Sequence, residues 1–162
     1  MDVNLVPEPE GWEDPITGLD GPEFWRRILV AEVARTTKYG RALAVVVVEL
    51  DGLQDVWDAW GEDLGRRALH GAAQCLRRAS RISDYCTRIG AARFGVVLTE
   101  TDEIAAINFV ERVREAVPRS MPRGTEDVRF SFGWASPKPL EAPDSLVRRA
   151  ERRLVAELTG RA

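Results

Sequence analysis

Cysteine, histidine and lysine are all scarce in this chain of 162 residues, which holds two cysteines, one histidine, and lysine only at Lys38 and Lys138. Cys75 and Cys86 lack metal-ligand spacing, which argues against a structural zinc and leaves both as reduced, buried small hydrophobes. The single histidine, His70, falls off the apolar stripe of its helix and reads as solvent-exposed rather than catalytic. No apolar run approaches the roughly 20 residues of a membrane-spanning helix, so no membrane partner is expected. The N-terminus has neither a basic n-region nor an apolar h-region, and a cytoplasmic location follows as the expectation. Basic residues are missing from residues 1–20, which instead carry Asp2, Glu8, Glu10, Glu13, Asp14 and Asp20. A net charge of −3 without a concentrated basic face argues against a nucleic-acid partner.

What is present suits one soluble domain of ordinary composition, 44% hydrophobic and 30% charged. Residues 1–13 are acidic and aperiodic, with Pro7 and Pro9, and read as a flexible leader, leaving 14–162 as the domain. From Pro22 the apolar positions Trp25, Ile28, Leu29 and Val33 recur at helical spacing. The run Ala44-Val45-Val46-Val47-Val48 is β-branched and apolar on both faces, as in a central strand. Helical periodicity returns around 53–60, breaks at Gly61 and resumes over 63–79 with Leu69, Ala72, Ala73 and Leu76 on one stripe. Residues 84–89 and 93–99 read as a hairpin about Gly90-Ala91-Ala92. Thr101 can cap a helix carrying Ile104, Ile107, Val110 and Val113, with Pro118 stopping it. A strand over 128–135 and a last helix from Asp144, with Val147, Ala150, Leu154 and Leu158 inward, complete an α+β plan with a mixed sheet flanked by helices.

In that order the segments resemble the GGDEF family of diguanylate cyclases, across roughly residues 14–161. Asp14-Pro15-Ile16-Thr17-Gly18-Leu19 is similar to the family's opening D-x-L-T-G-L, and Glu49-Leu50-Asp51 to its acidic strand end D-x-D. Gly61 and Gly65 fall at the family's glycines in the stretch that follows. Ser131-Phe132-Gly133-Trp134-Ala135 is similar to S-x-G-x-A, and Arg149-Ala150-Glu151 with Leu154 to the motif of the last helix. The signature turn is Gly90-Ala91-Ala92-Arg93-Phe94. The resemblance implies a palm-like fold with a central five-stranded sheet.

Family cyclases join two GTP molecules using divalent metals, because hard cations want several oxygen ligands and phosphoryl transfer needs its developing charge neutralised. The resemblance puts the metal-ligating positions at Glu49 and Ala92, with Asp51 a further vestigial candidate. Alanine brings no ligand, and Arg93, where active members have an acid, repels Mg²⁺. The guanine-reading positions fall on Trp57 and Arg66, the triphosphate lysines on Gln54 and Leu158. Each hydrogen-bonding group lost from such a site costs about 1–3 kcal/mol. The expectation is therefore a degenerate, inactive member without a cofactor, with Mg²⁺ relevant only to residual activity.

Arg81-Ile82-Ser83-Asp84, shortly before the turn, matches the R-x-x-D of the family's inhibitory site for cyclic di-GMP. A guanidinium can fork onto a guanine edge or phosphate and a carboxylate can accept guanine N–H groups. The bland alternative is an exposed ion pair at a helix–strand junction, worth about 0–1 kcal/mol. Arg88 is an assisting candidate, its alternative being a solvated strand surface. Trp57 and Trp60 either fill the former guanine pocket or stack on another ligand or partner. Arg148, Arg149, Arg152 and Arg153 form a solvated helix face or a surface for an anionic partner. Three functions follow: a cyclic di-GMP receptor through Arg81 and Asp84, a ligand-free scaffold that dimerises or docks on another protein, and a residual cyclase.

Overall fold

The computed structural model describes residues 4–160. Its elements run α1 (Pro22–Tyr39), β1 (Leu43–Asp51), α2 (Leu53–Trp60), α3 (Glu62–Ala79), β2 (Tyr85–Gly90), β3 (Arg93–Thr99), α4 (Ala106–Ser120), β4 (Arg129–Ala135) and α5 (Pro143–Gly160). The sheet has the order β2-β3-β1-β4. Strand β1 is central, as its β-branched run predicts. Its side chains alternate between two cores: Ala44, Val46 and Val48 pack with α2, α3 and α4, and Val45 and Val47 with α1 and α5. Helices thus cover both faces of an α+β domain. Where α5 crosses β4, a Cβ on Gly133 would lie 1.9 Å from the Ala150 carbonyl oxygen, so only glycine permits that approach.

The sheet differs from expectation in two respects. It has four strands rather than five among the described residues, and every ladder is antiparallel rather than mixed. The only parallel contact among the described residues is the isolated bridge Asp20↔Thr87, through which the N-terminal turn covers the outer edge of β2. Beyond β4 the chain carries Pro137 and Pro139, which cannot donate to a ladder, and no further strand forms there. Helix α4 also begins later than the periodicity suggests, leaving Ile104 ahead of it and 79% exposed; Ile107, inside it, is 43% exposed, and the helix runs through Pro118 to Ser120. Cys75 is buried and Cys86 half-buried, both as free thiols, and His70 is exposed. Among the described residues no helix is long and apolar enough to cross a membrane.

The loop entering α5 is held by Glu141. Its carboxylate takes a two-pronged bond from Arg149, Nε at 2.8 Å and Nη2 at 2.7 Å, with further donors from Ser145 Oγ and the Lys138 N–H. Arg149 also donates to the Ser136 carbonyl, so this part of the arginine face is spent on structure. The Arg149 bond holds the Glu141 carboxyl down to about 2 from 4.5. A depressed carboxyl stabilises the fold above its unfolded value and loses that contribution as pH falls through the folded one. Glu141→Gln is therefore expected to lower the melting temperature at pH 7, with the gap to the unsubstituted protein closing between about pH 4.5 and 2 in a series of thermal melts.

Candidate functional site

The turn between β2 and β3 closes at Ala91 and Ala92 with negative φ at both, so the hairpin does not need the glycine-friendly conformation that its sequence lacks. A register shift between Arg88 and Gly90 accompanies it. Two bonds hold the tip: the Leu50 N–H donates to the Ala92 carbonyl at 2.8 Å, and Arg88 Nη2 donates to the Ala91 carbonyl at 2.7 Å.

Arg88 is fully buried, which corrects the expectation of a solvated strand residue. A charge survives burial only when paired and hydrogen-bonded, and Asp14 supplies the pair at 3.1 Å, itself 1% exposed. Arg88 Nη2 also donates to the Pro7 carbonyl at 2.5 Å. Burial draws the guanidinium below its ordinary value, with Asp14 working the other way. The other Asp14 oxygen accepts from the Thr17 N–H at 3.1 Å and the Thr17 hydroxyl at 2.6 Å, folding Asp14-Pro15-Ile16-Thr17-Gly18-Leu19 into a tight turn. Arg88 lies apart from the Arg81 pocket described below, whose lining does not include it.

Glu49 and Arg93 are direct partners across the β1–β3 ladder, and Arg93 Nε donates to Glu49 Oε2 at 2.7 Å. Their side chains are 25% and 35% exposed. Asp51 stands two residues on, at the exposed end of β1 opposite Arg129. Among the described residues no group of three or more His, Cys, Asp or Glu side chains is placed to hold a metal ion.

Between α2 and α3, Trp57 is 1% exposed and lies flat against Gly65, where a Cβ would meet the indole at 2.2 Å. Its indole N–H has no acceptor among the described residues. The Arg66 guanidinium sits 5.9 Å from the ring centroid and pairs with Glu62 at 2.7 Å. Trp60 does not share the pocket: it ends α2 and is 71% exposed. Gln54, in the first turn of α2, binds the backbone of residues 4 and 6. Leu158 packs with the α1–α5 core on the other face of the sheet.

Arg81 and Asp84 are brought together, Nε to Oδ2 at 3.5 Å. The Asp84 side chain is wholly buried and accepts the Arg81 N–H at 2.8 Å and the Thr99 N–H at 3.1 Å. Arg81 is half exposed, with Nη2 donating to the Thr99 carbonyl and the Thr101 hydroxyl, each at 2.5 Å. The pair lines a cavity of about 230 Å³ with Asp20, Arg77, Ser80 and Cys86. Burial and Glu13 hold Asp20 above the usual carboxylate range, and burial pushes the Cys86 thiol up to about 11, far from a reactive thiolate. Sequence reasoning passed over Asp14 as a partner for Arg88. The signal available was a cation inside a strand, between Thr87 and Ile89, which calls for an anion once it is buried but does not say which one.

A family model described as "Diguanylate cyclase, GGDEF domain" matches residues 12–161. The diguanylate cyclase DosC of Escherichia coli K12 is 30% identical over 121 residues, 74% of this chain and 26% of DosC. This chain thus spans about a quarter of that relative's length. The diguanylate cyclase SiaD of Pseudomonas aeruginosa, solved in complex with its activator SiaC, superposes with a TM-score of 0.83 at 30% identity, over 91% of this chain and 58% of SiaD. The GGDEF domain of DgcB from Caulobacter crescentus, solved in complex with c-di-GMP, gives 0.85 at 22% identity over 93% of this chain and 92% of the domain, a likeness of fold.

Breaking a buried pair by removing one partner costs about 3–5 kcal/mol, because the other charge is left uncompensated. Asp14→Ala is expected to lose that much stability in urea unfolding, and Asp14→Ala with Arg88→Met to lose less than the sum of the single losses. Strictly additive losses would show that the pair is not coupled.

Proposed function

The chain belongs to the GGDEF family, and from that premise we propose that it is a catalytically silent member that works as a binding module in cyclic di-GMP signalling. One observation carries the proposal. Arg93 holds the Glu49 carboxylate at 2.7 Å, at the corner where the family's turn supplies acids for metal. A divalent cation needs several oxygen ligands. Glu49 is already committed to an internal cation, Ala92 contributes no oxygen, and Asp51 is at the strand's exposed end, so the residues present do not fit Mg²⁺. Substrate contacts argue the same way. The buried Trp57 ring fills the space against Gly65 where guanine would be read, and Arg66 lies over that ring.

The ligand we propose is cyclic di-GMP, at the cavity of about 230 Å³ beside Arg81. Its phosphodiesters and guanine edges suit the half-exposed Arg81 guanidinium, with Arg77 on the same wall. Asp84 is a positioning residue in this reading, since its buried carboxylate fixes Arg81 through the backbone and is not free to meet guanine. A second reading, a scaffold for a partner protein or a second copy, draws on the 71% exposure of Trp60 at the end of α2.

Incubation with GTP and Mg²⁺ or Mn²⁺ is expected to yield no cyclic di-GMP by chromatography, and any product would overturn the silent-member reading. Isothermal titration with cyclic di-GMP is expected to show saturable binding that Arg81→Ala weakens about 10- to 100-fold, as loss of charged hydrogen bonds dictates. No heat at micromolar protein, or binding unchanged in Arg81→Ala, would remove the receptor and leave the scaffold.

A further inference from the structure

Residues 4–9 run across the corner formed by the start of α2 and the β2–β3 hairpin, and they are held there by contacts of three different kinds. First, the amide of Gln54 grips their backbone. Gln54 Oε1 accepts the Val6 N–H at 3.0 Å, and Gln54 Nε2 donates to the Asn4 carbonyl at 3.2 Å. One side chain thereby takes a donor and an acceptor two residues apart, as a neighbouring strand would. Asp58 Oδ1, accepting from Gln54 Nε2 at 2.8 Å, fixes which way the amide faces. Second, Arg88 Nη2 donates to the Pro7 carbonyl at 2.5 Å. Third, Val6 is 5% exposed and belongs to the same core as Leu50, Leu53 and Trp57.

The segment's own sequence suits such a seat. Pro7 and Pro9 fix φ, hold Val6 and Glu8 extended, and bring no N–H that would need a partner. Val6 and Pro9 are buried while Leu5 and Glu8 are exposed. A burial spacing of three matches the three residues per turn of a polyproline helix, which costs little entropy to dock. The Glu8 carboxylate lies beside Gly90, 3.8 Å from where a Cβ on that residue would stand.

We propose that this corner is a binding groove for extended, proline-containing peptide, and that its occupant is the chain's own segment 4–9. The proposal rests on the preceding reading only in taking Gln54 to stand where the family has a phosphate-binding lysine. The groove reads backbone through Gln54, a carbonyl through Arg88, and an apolar side chain through the core behind Val6. With the segment seated, the approach to the former phosphate position is filled by protein.

The test uses the full chain and no nucleotide, so its failure is separate from a failure of the silent-member reading, which a turnover assay reports. Amide exchange by NMR is expected to show Val6 protected by about a hundredfold or more, falling at least about tenfold in Gln54→Ala. A synthetic peptide of residues 1–13 is expected to bind the Val6→Asp chain saturably by titration calorimetry, and to bind the unsubstituted chain at least about tenfold more weakly, because its groove is already filled. An unprotected Val6 amide in the unsubstituted chain would overturn the proposal. So would equal affinity of the peptide for both chains, or binding to neither. The exchange measurement on the unsubstituted and Gln54→Ala chains decides the matter even if Val6→Asp does not fold.

Discussion

The guanidinium of Arg88 sets the constraint on which this corner of the molecule depends. A cation with no exposed surface has to be met by an anion and by carbonyl oxygens, since leaving it bare would cost several kcal/mol. The Nη donors are met by two groups far off in sequence, Asp14 from the N-terminal turn and Pro7 from the segment ahead of it, and by Ala91 three residues away at the hairpin tip, while Nε has no acceptor among the described residues. Pairing the Nη groups of one side chain therefore fixes the position of all three relative to the sheet. Asp14 passes the order onward, because its second oxygen closes the turn through Thr17. The hairpin is anchored again from β1, by the Leu50 N–H on the Ala92 carbonyl.

Around that hub, the groups that the proposed reading puts at a family cyclase's nucleotide contacts are turned toward protein. Glu49 meets Arg93, Gln54 meets the backbone of residues 4 and 6, and Trp57 meets Gly65. Each contact is modest. A cross-strand ion pair is worth about 0.2–1 kcal/mol and a neutral hydrogen bond about 0.5–1.5 kcal/mol. On the proposed silent-member reading their combined effect on chemistry is larger than their effect on stability, because metal, base and phosphate contacts would each have to be rebuilt for turnover. Arg81 differs in that its guanidinium remains half exposed beside a cavity, with Asp84 holding it from beneath.

Much of this fold is legible in the sequence, since period and composition act locally. The valine run of β1 is apolar on both faces because helices cover both, and Gly61 separates α2 from α3 where the periodicity breaks. The four strands readable from residues 41–135 are those that form; the fifth came from the family resemblance, and Pro137 and Pro139 close the route to one beyond β4. Partnerships over long sequence separations were hidden. Nothing near Arg88 in sequence announces Asp14, and the pairing of Glu49 with Arg93 depends on ladder register, which a strand pattern specifies only to within its two faces. Trp57 and Trp60 look alike in sequence, but only Trp57 lies on the helix face turned to Gly65.

The central claim is that the Glu49 carboxylate is neutralised by Arg93 rather than poised for a metal. Manganese titration followed by electron paramagnetic resonance tests it directly, because free Mn²⁺ gives a six-line signal that broadens on binding. With the unsubstituted chain at about a hundred micromolar, the signal is expected to match that of Mn²⁺ in buffer alone. A loss of signal that saturates at one ion per chain, and that Glu49→Gln abolishes, would contradict it.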